Sequence, residues 1–179
     1  TYNRLLKLDA QEKILNDNVV VQNYHGFASK LLYRHGVCNI GQGEQIKKVL
    51  DLHVPVGRYD VLIIDEYQDI NEEISRMLEY IKEENPDMQI IAVGDMKQKI
   101  YDTTSLDIWN FINKFLGKHT QVNFTRCFRL SHDLAERLGA IWNKEINGVN
   151  ENCEVKSMTK DEVIEYLNDL DPKNVLCLG

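Results

Sequence analysis

Three short runs along the chain consist of consecutive aliphatic and β-branched residues with polar residues on either side. They are NVVVQN (18–23), DVLIID (60–65) and MQIIAVGD (88–95). Because each run is apolar at neighbouring positions, each predicts a strand that is covered on both faces of a sheet. Weaker strand patterns occur at VNF near Val122 and at NVLCLG at the C-terminus.

Four other segments carry helical patterns, and in the first of them apolar residues recur at the i, i+3, i+4 and i+7 spacing of an amphipathic helix. The predicted helices are 71–85, 105–117, 131–146 and 159–172, with Ser105, Ser131 and Thr159 as N-caps and Glu162 completing a capping box. One apolar stripe in the first helix consists of Ile74, Met77, Leu78 and Ile81, and one face of the third carries Leu134, Leu138, Ile141 and Trp142. The alternation of strands and helices predicts an α/β fold with a parallel, doubly wound sheet.

Composition narrows the class of protein. The 179 residues are 43% hydrophobic and 27% charged, which is typical of a soluble globular protein. A net charge of −7 argues against a broadly basic coat for nucleic acid, but it leaves room for a local phosphate-binding strip. There is no apolar run of membrane-spanning length and no signal-peptide pattern. Four widely spaced cysteines favour reduced thiols in a cytoplasmic protein.

Polar side chains follow the second predicted strand at once, in VLIIDEYQDI (61–70). A carboxylate pair at the end of a central strand can hold a hydrated Mg²⁺ through Asp65, while Glu66 orients or deprotonates a water. The same residues also suit the start of the next helix, because Asp69 and Glu72 match the capping-box pattern. This segment taken alone therefore leaves a catalytic site and an ordinary helix start open.

Two further segments carry side chains suited to phosphate chemistry. The third strand ends in Gly94 and Asp95, followed by Gln98 and Tyr101. In a parallel sheet this strand ends at the same edge as the strand before Asp65, so the two polar sets are expected to share one crevice. Arg129, before the predicted helix at 131, carries the planar donor fork that suits a terminal phosphate, although an isolated arginine is more often in a surface salt bridge.

In this order the segments DEYQD (65–69), VGDMKQKIY (93–101) and FR (128–129) closely resemble motifs II, III and IV of the UvrD/Rep-like superfamily 1 DNA helicases. TYNRLL (1–6) resembles motif Ia, and NYHGFASKLL (23–32) resembles the family's T-x-H-S-F segment. The resemblance implies a RecA-like (P-loop NTPase) motor domain. It further implies that residues 1–146 form part of a first RecA-like domain, and that 147–179 form a linker, a helix and the first strand of a second one.

The resemblance also implies ATP and Mg²⁺ as cofactors, single-stranded and duplex DNA as partners, and no membrane. Asp65 would bind Mg²⁺ through water, Glu66 would activate the attacking water, and Arg129 would contact the γ-phosphate. Gln68 and Gln98 would sense that phosphate and couple it to the DNA. The further residues implied are Asp69, Asp95 and Tyr101 for ATP binding and coupling, and Tyr2, Asn3, Asn23, Tyr24 and His25 for DNA binding. For His25 a buried, hydrogen-bonded histidine is an open alternative.

The chain departs from the family at several points. The phosphate-binding pattern G-x-x-x-x-G-K-[S/T] is absent, so the sequence is predicted to be a fragment that lacks the N-terminal phosphate-loop unit and is inactive alone. Asp102 stands where the family usually has a base-stacking aromatic residue. Two alternatives stay open. One is a degenerate helicase-like module that binds DNA or partners without ATPase activity. The other is a nuclease that brackets two metal ions with Asp65, Glu66, Asp69 and Asp95.

Overall fold

The computed structural model describes residues 4–41, 43–99, 104–153 and 156–175. The chain forms two compact units, residues 1–119 and 120–179. The predicted division into parts of two RecA-like domains at 146/147 concerns the family's domains and stays a prediction. Among the described residues no helix is both long enough and apolar enough to cross a membrane. The described cysteines, Cys38, Cys127 and Cys153, are free thiols.

The first unit combines a small parallel sheet with helices. Its elements are α1 (Arg4–Lys13), α2 (Tyr24–Arg34), α3 (Gln45–Asp51), β1 (Val61–Ile64), α4 (Glu72–Glu84), β2 (Gln89–Ala92) and α5 (Ile108–Leu116), with 3-10 turns at Tyr67–Asp69 and Met96–Gln98. β1 and β2 pair in parallel, with Val61 opposite Gln89 and Ile64 opposite Ala92. The strands predicted at 60–65 and 88–95 are therefore confirmed in slightly shorter form, as is their parallel direction.

The core of this unit forms around α4. Its predicted apolar stripe is confirmed, since the four side chains are all buried: Ile74, Met77, Leu78 and Ile81. They belong to one cluster with residues of α2, α3, β1 and α5. Asn71 begins the helix, because its side chain accepts a hydrogen bond from the backbone N–H of Ile74 at 2.9 Å. The capping box between Asp69 and Glu72 is therefore wrong, and Asp69 lies in the preceding 3-10 turn.

Two other local predictions in this unit are wrong. Residues 18–23 form no strand, and the side chain of Val20 is 51% exposed. The backbone turns there instead, because the N–H of Asn18 donates to Asn16 Oδ1 at 2.9 Å and the run pairs with no strand of the described chain. Helix α5 is capped by Asp107 rather than Ser105, since Asp107 accepts from the N–H of Asn110 at 3.0 Å. Its predicted end at Gly117 is confirmed.

Only one face of the sheet β1–β2 is packed in the described structure, so the prediction that these strands are covered on both faces is wrong. The side chain of Ile64 is buried, whereas that of Ile63 is 61% exposed, and Val61 and Ile91 are exposed as well. The α/β class and the parallel pairing are confirmed, but both sheets in the described part of the chain have two strands. A larger doubly wound sheet of the RecA-like kind stays a prediction.

The second unit contains another parallel pair of strands. Its elements are β3 (Arg126–Ser131), α6 (His132–Trp142), β4 (Asn147–Asn150), α7 (Lys160–Asn168) and a 3-10 turn at Pro172–Asn174. The strand predicted near Val122 is wrong, because pairing begins at Arg126. The segment predicted to start with a linker at residue 147 starts instead with β4. The capping box of Thr159 and Glu162 is confirmed. The strand predicted at the C-terminus lies mostly outside the described residues.

The apolar face of α6 is only partly packed, since Leu134 and Leu138 are half-buried whereas Trp142 is exposed. Ser131 occupies the N-cap position as predicted, but Ile141 is 75% exposed, and Ala135 and Gly139 are the helix residues that are buried. A Cβ atom at Gly139 would lie 2.7 Å from the backbone oxygen of Lys144, below any normal contact. Small residues therefore face the adjoining backbone, because the close approach leaves no room for larger side chains.

Candidate functional site

The acidic loop, residues 65–71, runs from the end of β1 to the start of α4. Asp65 and Glu66 follow the buried Ile64, and the backbone N–H of Tyr67 donates to the oxygen of Val93 at 3.1 Å. Glu66 has a left-handed backbone, with φ 54° and ψ 52°. A residue with a Cβ atom adopts this conformation at a cost of about 1–2 kcal/mol, and such strain concentrates at functional sites. The acidic loop thus holds its second carboxylate residue in an unfavourable backbone state.

The second loop, residues 93–99, follows β2 and lies beside the acidic loop. The N–H of Val93 donates to the oxygen of Ile64 at 2.8 Å, which extends the strand pairing by one step. Asp95 then caps the 3-10 turn, accepting from the N–H of Lys97 at 3.0 Å, and its Oδ2 accepts from Gln98 Nε2 at 3.2 Å. Because the two parallel strands end at the same edge, the two polar sets meet there, as predicted from the sequence.

Gln68 joins the two loops directly. Its side chain is only 3% exposed, and its Oε1 accepts from the backbone N–H of Asp95 at 3.0 Å. Its Nε2 donates to Glu66 Oε2 at 2.5 Å. A neutral amide provides an acceptor and a donor at once, so it satisfies both loops without adding charge to an acidic site. Contact of Gln68 with a phosphate stays a prediction; the structure shows it bridging the protein's own groups.

Gly94 allows this close approach of the loops. A Cβ atom at position 94 would lie 2.6 Å from Gln68 Oε1, 2.6 Å from Tyr67 Cδ1 and 2.8 Å from the backbone nitrogen of Tyr67. All three distances are shorter than real Cβ contacts, and one of them involves backbone. The glycine therefore serves the packing of the two loops, and not only a turn at the end of β2.

A buried phenol lies within range of the charges of the acidic loop. The hydroxyl of Tyr24, at the start of α2, is buried and has no hydrogen-bond partner among the described residues. Its burial, together with the negative charges of Asp65 and Asp69, raises the pKa of the Tyr24 phenol above its ordinary value. Burial, together with the charge of Glu66, raises the pKa of Asp69. The carboxylates thus act on one another and on Tyr24 across a short range.

The carboxylates of Asp65 and Asp69 fit a hydrated Mg²⁺ ion. Mg²⁺ keeps several waters and uses one or two carboxylates together with substrate phosphates. Asp65 and Asp69 lie close enough to act on the same buried hydroxyl, which itself lacks a polar partner within the described chain. In the described part of the chain no group of three or more His, Cys, Asp and Glu side chains is arranged to hold a metal ion. The nuclease alternative, which needs carboxylates around two ions, stays a prediction.

The residues predicted to line a DNA path differ in their surroundings. Asn23 caps α2, because its Oδ1 accepts from the N–H of Gly26 at 3.0 Å, and Tyr24 points into the molecule. His25 is exposed, so the alternative of a buried histidine is wrong. The remaining predicted residues Tyr2, Asn3 and Tyr101 lie outside the described residues. A role in DNA binding stays a prediction for all five residues of that set, and the coupling role of Tyr101 stays one too.

Arg129 belongs to the second unit and is exposed on β3. The strand carries an irregularity, because Cys127 pairs with Gly148 and Ser131 pairs with Asn150, which leaves two more residues on β3 than on β4 between these pairs. Asn150 Nδ2 donates to the backbone oxygen of Phe128 at 3.1 Å within this bulge. Bulges redirect side chains beside functional sites, and this one contains Arg129. The γ-phosphate contact of Arg129 stays a prediction.

One contact beside the site could not be predicted from any local sequence pattern. Glu72, in the first turn of α4, accepts two hydrogen bonds through its Oε1, from the backbone N–H of Ser105 at 2.7 Å and from Ser105 Oγ at 2.6 Å. The hydrogen bond from the Ser105 side chain, with others from Thr104 and the backbone, lowers the pKa of Glu72 to about 2. This contact ties the segment after the second loop to the helix after the acidic loop. The 33-residue separation explains why no local pattern predicts it.

Comparison with known proteins matches residues 53–115 to the family described as the UvrD/REP helicase N-terminal domain. An ATP-dependent helicase/nuclease subunit from Oenococcus oeni is 27% identical over 114 residues, which cover 58% of this chain and 9% of that protein. Its counterpart in Natranaerobius thermophilus is 28% identical over 126 residues, covering 64% of this chain and 10% of that protein. The chain therefore spans about a tenth of the length of these relatives. The resemblance carried by the motifs is confirmed, and the matched segment contains both loops of the site.

Proposed function

We propose that this chain, a UvrD-like helicase segment over residues 53–115, is part of an ATP-dependent DNA helicase or translocase. In this proposal ATP hydrolysis drives movement along single-stranded DNA and unwinding of duplex DNA in the cytoplasm. The chain would contribute part of one RecA-like motor domain and would act with a second one. The observation that carries the proposal is the joining of the acidic loop to the second loop by the buried Gln68.

The proposed chemistry assigns a proton transfer to Glu66. Its carboxylate would accept a proton from the water that attacks the terminal phosphate, and its fixed backbone would place that carboxylate. Asp65 would hold the hydration shell of Mg²⁺, with Asp69 close by. Mg²⁺, when bound, supplies positive charge that offsets the charge on the phosphates. Phosphoryl transfer depends mostly on positioning and electrostatics, which suits a site made of fixed polar groups.

Three other residues, Gln98, Arg129 and His25, would recognise the phosphate and the DNA. Gln98 would donate its amide to the terminal phosphate, and Arg129 would stabilise the charge that develops there. The exposed His25 is available for a strand of DNA, and aromatic and polar groups of this kind support binding that tolerates any base sequence. Asp95 supports the proposal indirectly, since it holds Gln98 through its carboxylate.

DNA-stimulated phosphate release tests the proposal, measured on the protein expressed at the full length of its gene. We expect Glu66→Gln to lower kcat about 10²- to 10⁴-fold, the usual contribution of a general base. Glu79→Gln is the matched control, because Glu79 is exposed on α4, away from the loops. We expect the 179-residue chain alone to release no phosphate.

Three outcomes would contradict the proposal. Equal activity of Glu66→Gln and Glu79→Gln would remove Glu66 from the chemistry. DNA binding without ATPase activity in the full-length protein would support the degenerate module instead. Cleavage of labelled DNA with Mn²⁺ and without ATP would support a nuclease.

A further inference from the structure

A continuous series of hydrogen bonds connects an exposed side chain to the candidate general base. It begins at Gln98, whose Nε2 donates to Asp95 Oδ2 at 3.2 Å. The backbone N–H of Asp95 donates to Gln68 Oε1 at 3.0 Å. Gln68 Nε2 then donates to Glu66 Oε2 at 2.5 Å. We call these four residues the Gln98–Glu66 relay.

Gln68 takes part in two of the three hydrogen bonds of the relay and is its buried member. It is buried, so each polar atom that loses its partner costs about 1–3 kcal/mol of stability. Glutamate at this position would keep the acceptor for Asp95 but would set a second carboxylate against Glu66. Leucine would keep the volume and remove both hydrogen bonds. Asparagine is one methylene shorter and cannot span the same two partners.

Glu66, at the far end of the relay, has a backbone geometry that depends on neighbouring contacts. Glu66 has a left-handed backbone, which a non-glycine residue keeps only where neighbouring contacts hold it. Its backbone oxygen accepts from the N–H of Asp69 at 3.0 Å, and its carboxylate is held by Gln68. Loss of the hydrogen bond from Gln68 would leave the direction of the carboxylate less determined.

We infer that Gln68 is a positioning residue that transmits a change at Gln98 to the carboxylate of Glu66. A phosphate oxygen that accepts from the Gln98 amide competes with Asp95 for that donor. The Asp95 turn then readjusts, and the bond between its N–H and Gln68 carries the change to Glu66. The inference deepens the proposed function and rests on it at two points: the contact of Gln98 with the phosphate, and the role of Glu66 as general base.

NMR of the 179-residue chain tests the relay without ATP. The signals to follow are the backbone amide of Asp95, the side-chain amide of Gln68 and the carboxyl carbon of Glu66. Gln98→Ala changes an exposed residue, so the variant is expected to fold. We expect it to shift all three signals, whereas Gln121→Ala, at an exposed residue of the second unit, shifts none of them. A shift confined to Asp95 would overturn the relay.

Kinetics of the full-length protein provide a second readout. A misplaced catalytic group costs about 100-fold in rate, so we expect Gln68→Leu to lower kcat to that extent. The KM for ATP should stay within about twofold, because the loss affects the transition state more than binding. An unchanged kcat, or a rise in KM alone, would contradict the positioning role. If the protein has no ATPase activity, the proposed function fails, and the NMR measurement still decides whether the relay exists.

Discussion

Gly94→Ala is a one-atom test of how the two loops pack. The added Cβ would meet Gln68 Oε1 at 2.6 Å and the backbone nitrogen of Tyr67 at 2.8 Å. The side-chain amide can move only by breaking its bond to Asp95 or Glu66, and the backbone can move only by weakening the bond from Tyr67 to Val93. No relaxation is therefore available that leaves all these hydrogen bonds intact.

Three contributions determine how far Gly94→Ala changes the free energy of unfolding. Overpacking costs about 1–3 kcal/mol, and one weakened hydrogen bond costs about 1 kcal/mol. Replacing glycine by alanine restricts the unfolded chain and returns about 0.4–1 kcal/mol. The free energy of unfolding should therefore fall by about 2 kcal/mol. With a urea dependence of about 2 kcal/mol per molar, the midpoint should fall by about 1 M.

Urea unfolding followed by tryptophan fluorescence measures this change. Trp109 lies on α5 in the first unit and Trp142 on α6 in the second, so a Trp142→Phe background restricts the signal to the unit that contains the loops. Gly41→Ala is the matched control, because its Cβ would meet its nearest atom, Glu44 Cγ, at an ordinary 3.6 Å. We expect that control to be as stable as the parent or slightly more stable.

Equal midpoints for Gly94→Ala and Gly41→Ala would refute the reasoning. Such a result would mean that the loops separate at little cost, and that Gln68 does not hold them. Amide hydrogen exchange provides an independent check, since Gly94→Ala should also reduce the protection of the Asp95 amide.

Three further predictions concern the surroundings of the loops. Tyr24→Phe removes a buried hydroxyl that has no partner in the described chain, so the free energy of unfolding in urea should rise by about 1 kcal/mol. A fall in that free energy would mean that a water already pairs with the hydroxyl. The hydrogen bonds from Ser105 lower the pKa of Glu72 from 4.5 to about 2, so their stabilisation is present above about pH 4.5 and is lost as the pH falls toward 2. The Tm of the parent should accordingly fall more steeply than that of Glu72→Gln over this range, by a small amount because the group is exposed. Asn71→Ala should cost about 1 kcal/mol by loss of the cap, whereas Asn71→Asp should keep most of the stability; equal losses in urea unfolding would exclude capping.

The sequence predicted those parts of the fold that depend on residues close to one another along the chain. The apolar stripe of α4, the strands β1 and β2 and the capping box at Thr159 were all readable from spacing and residue type. The meeting of the two polar sets was also predictable, because parallel strands end at one edge of a sheet. The run at 18–23 shows the limit: β-branched residues form a strand only where another strand is available to pair with them.

By itself the sequence showed a resemblance to the UvrD-like helicases, through motifs in order, and it named the acids and amides that the site contains. The tertiary structure decided which of these groups touch. Gln68 meets Asp95 across 27 residues, Glu72 meets Ser105 across 33, and Gly94 leaves the space that Gln68 fills. Helix periodicity and capping act within one or two turns, so they leave a trace in local sequence. Contacts between loops depend on strand register and on the depth at which each loop packs, and those are set only when the whole unit folds.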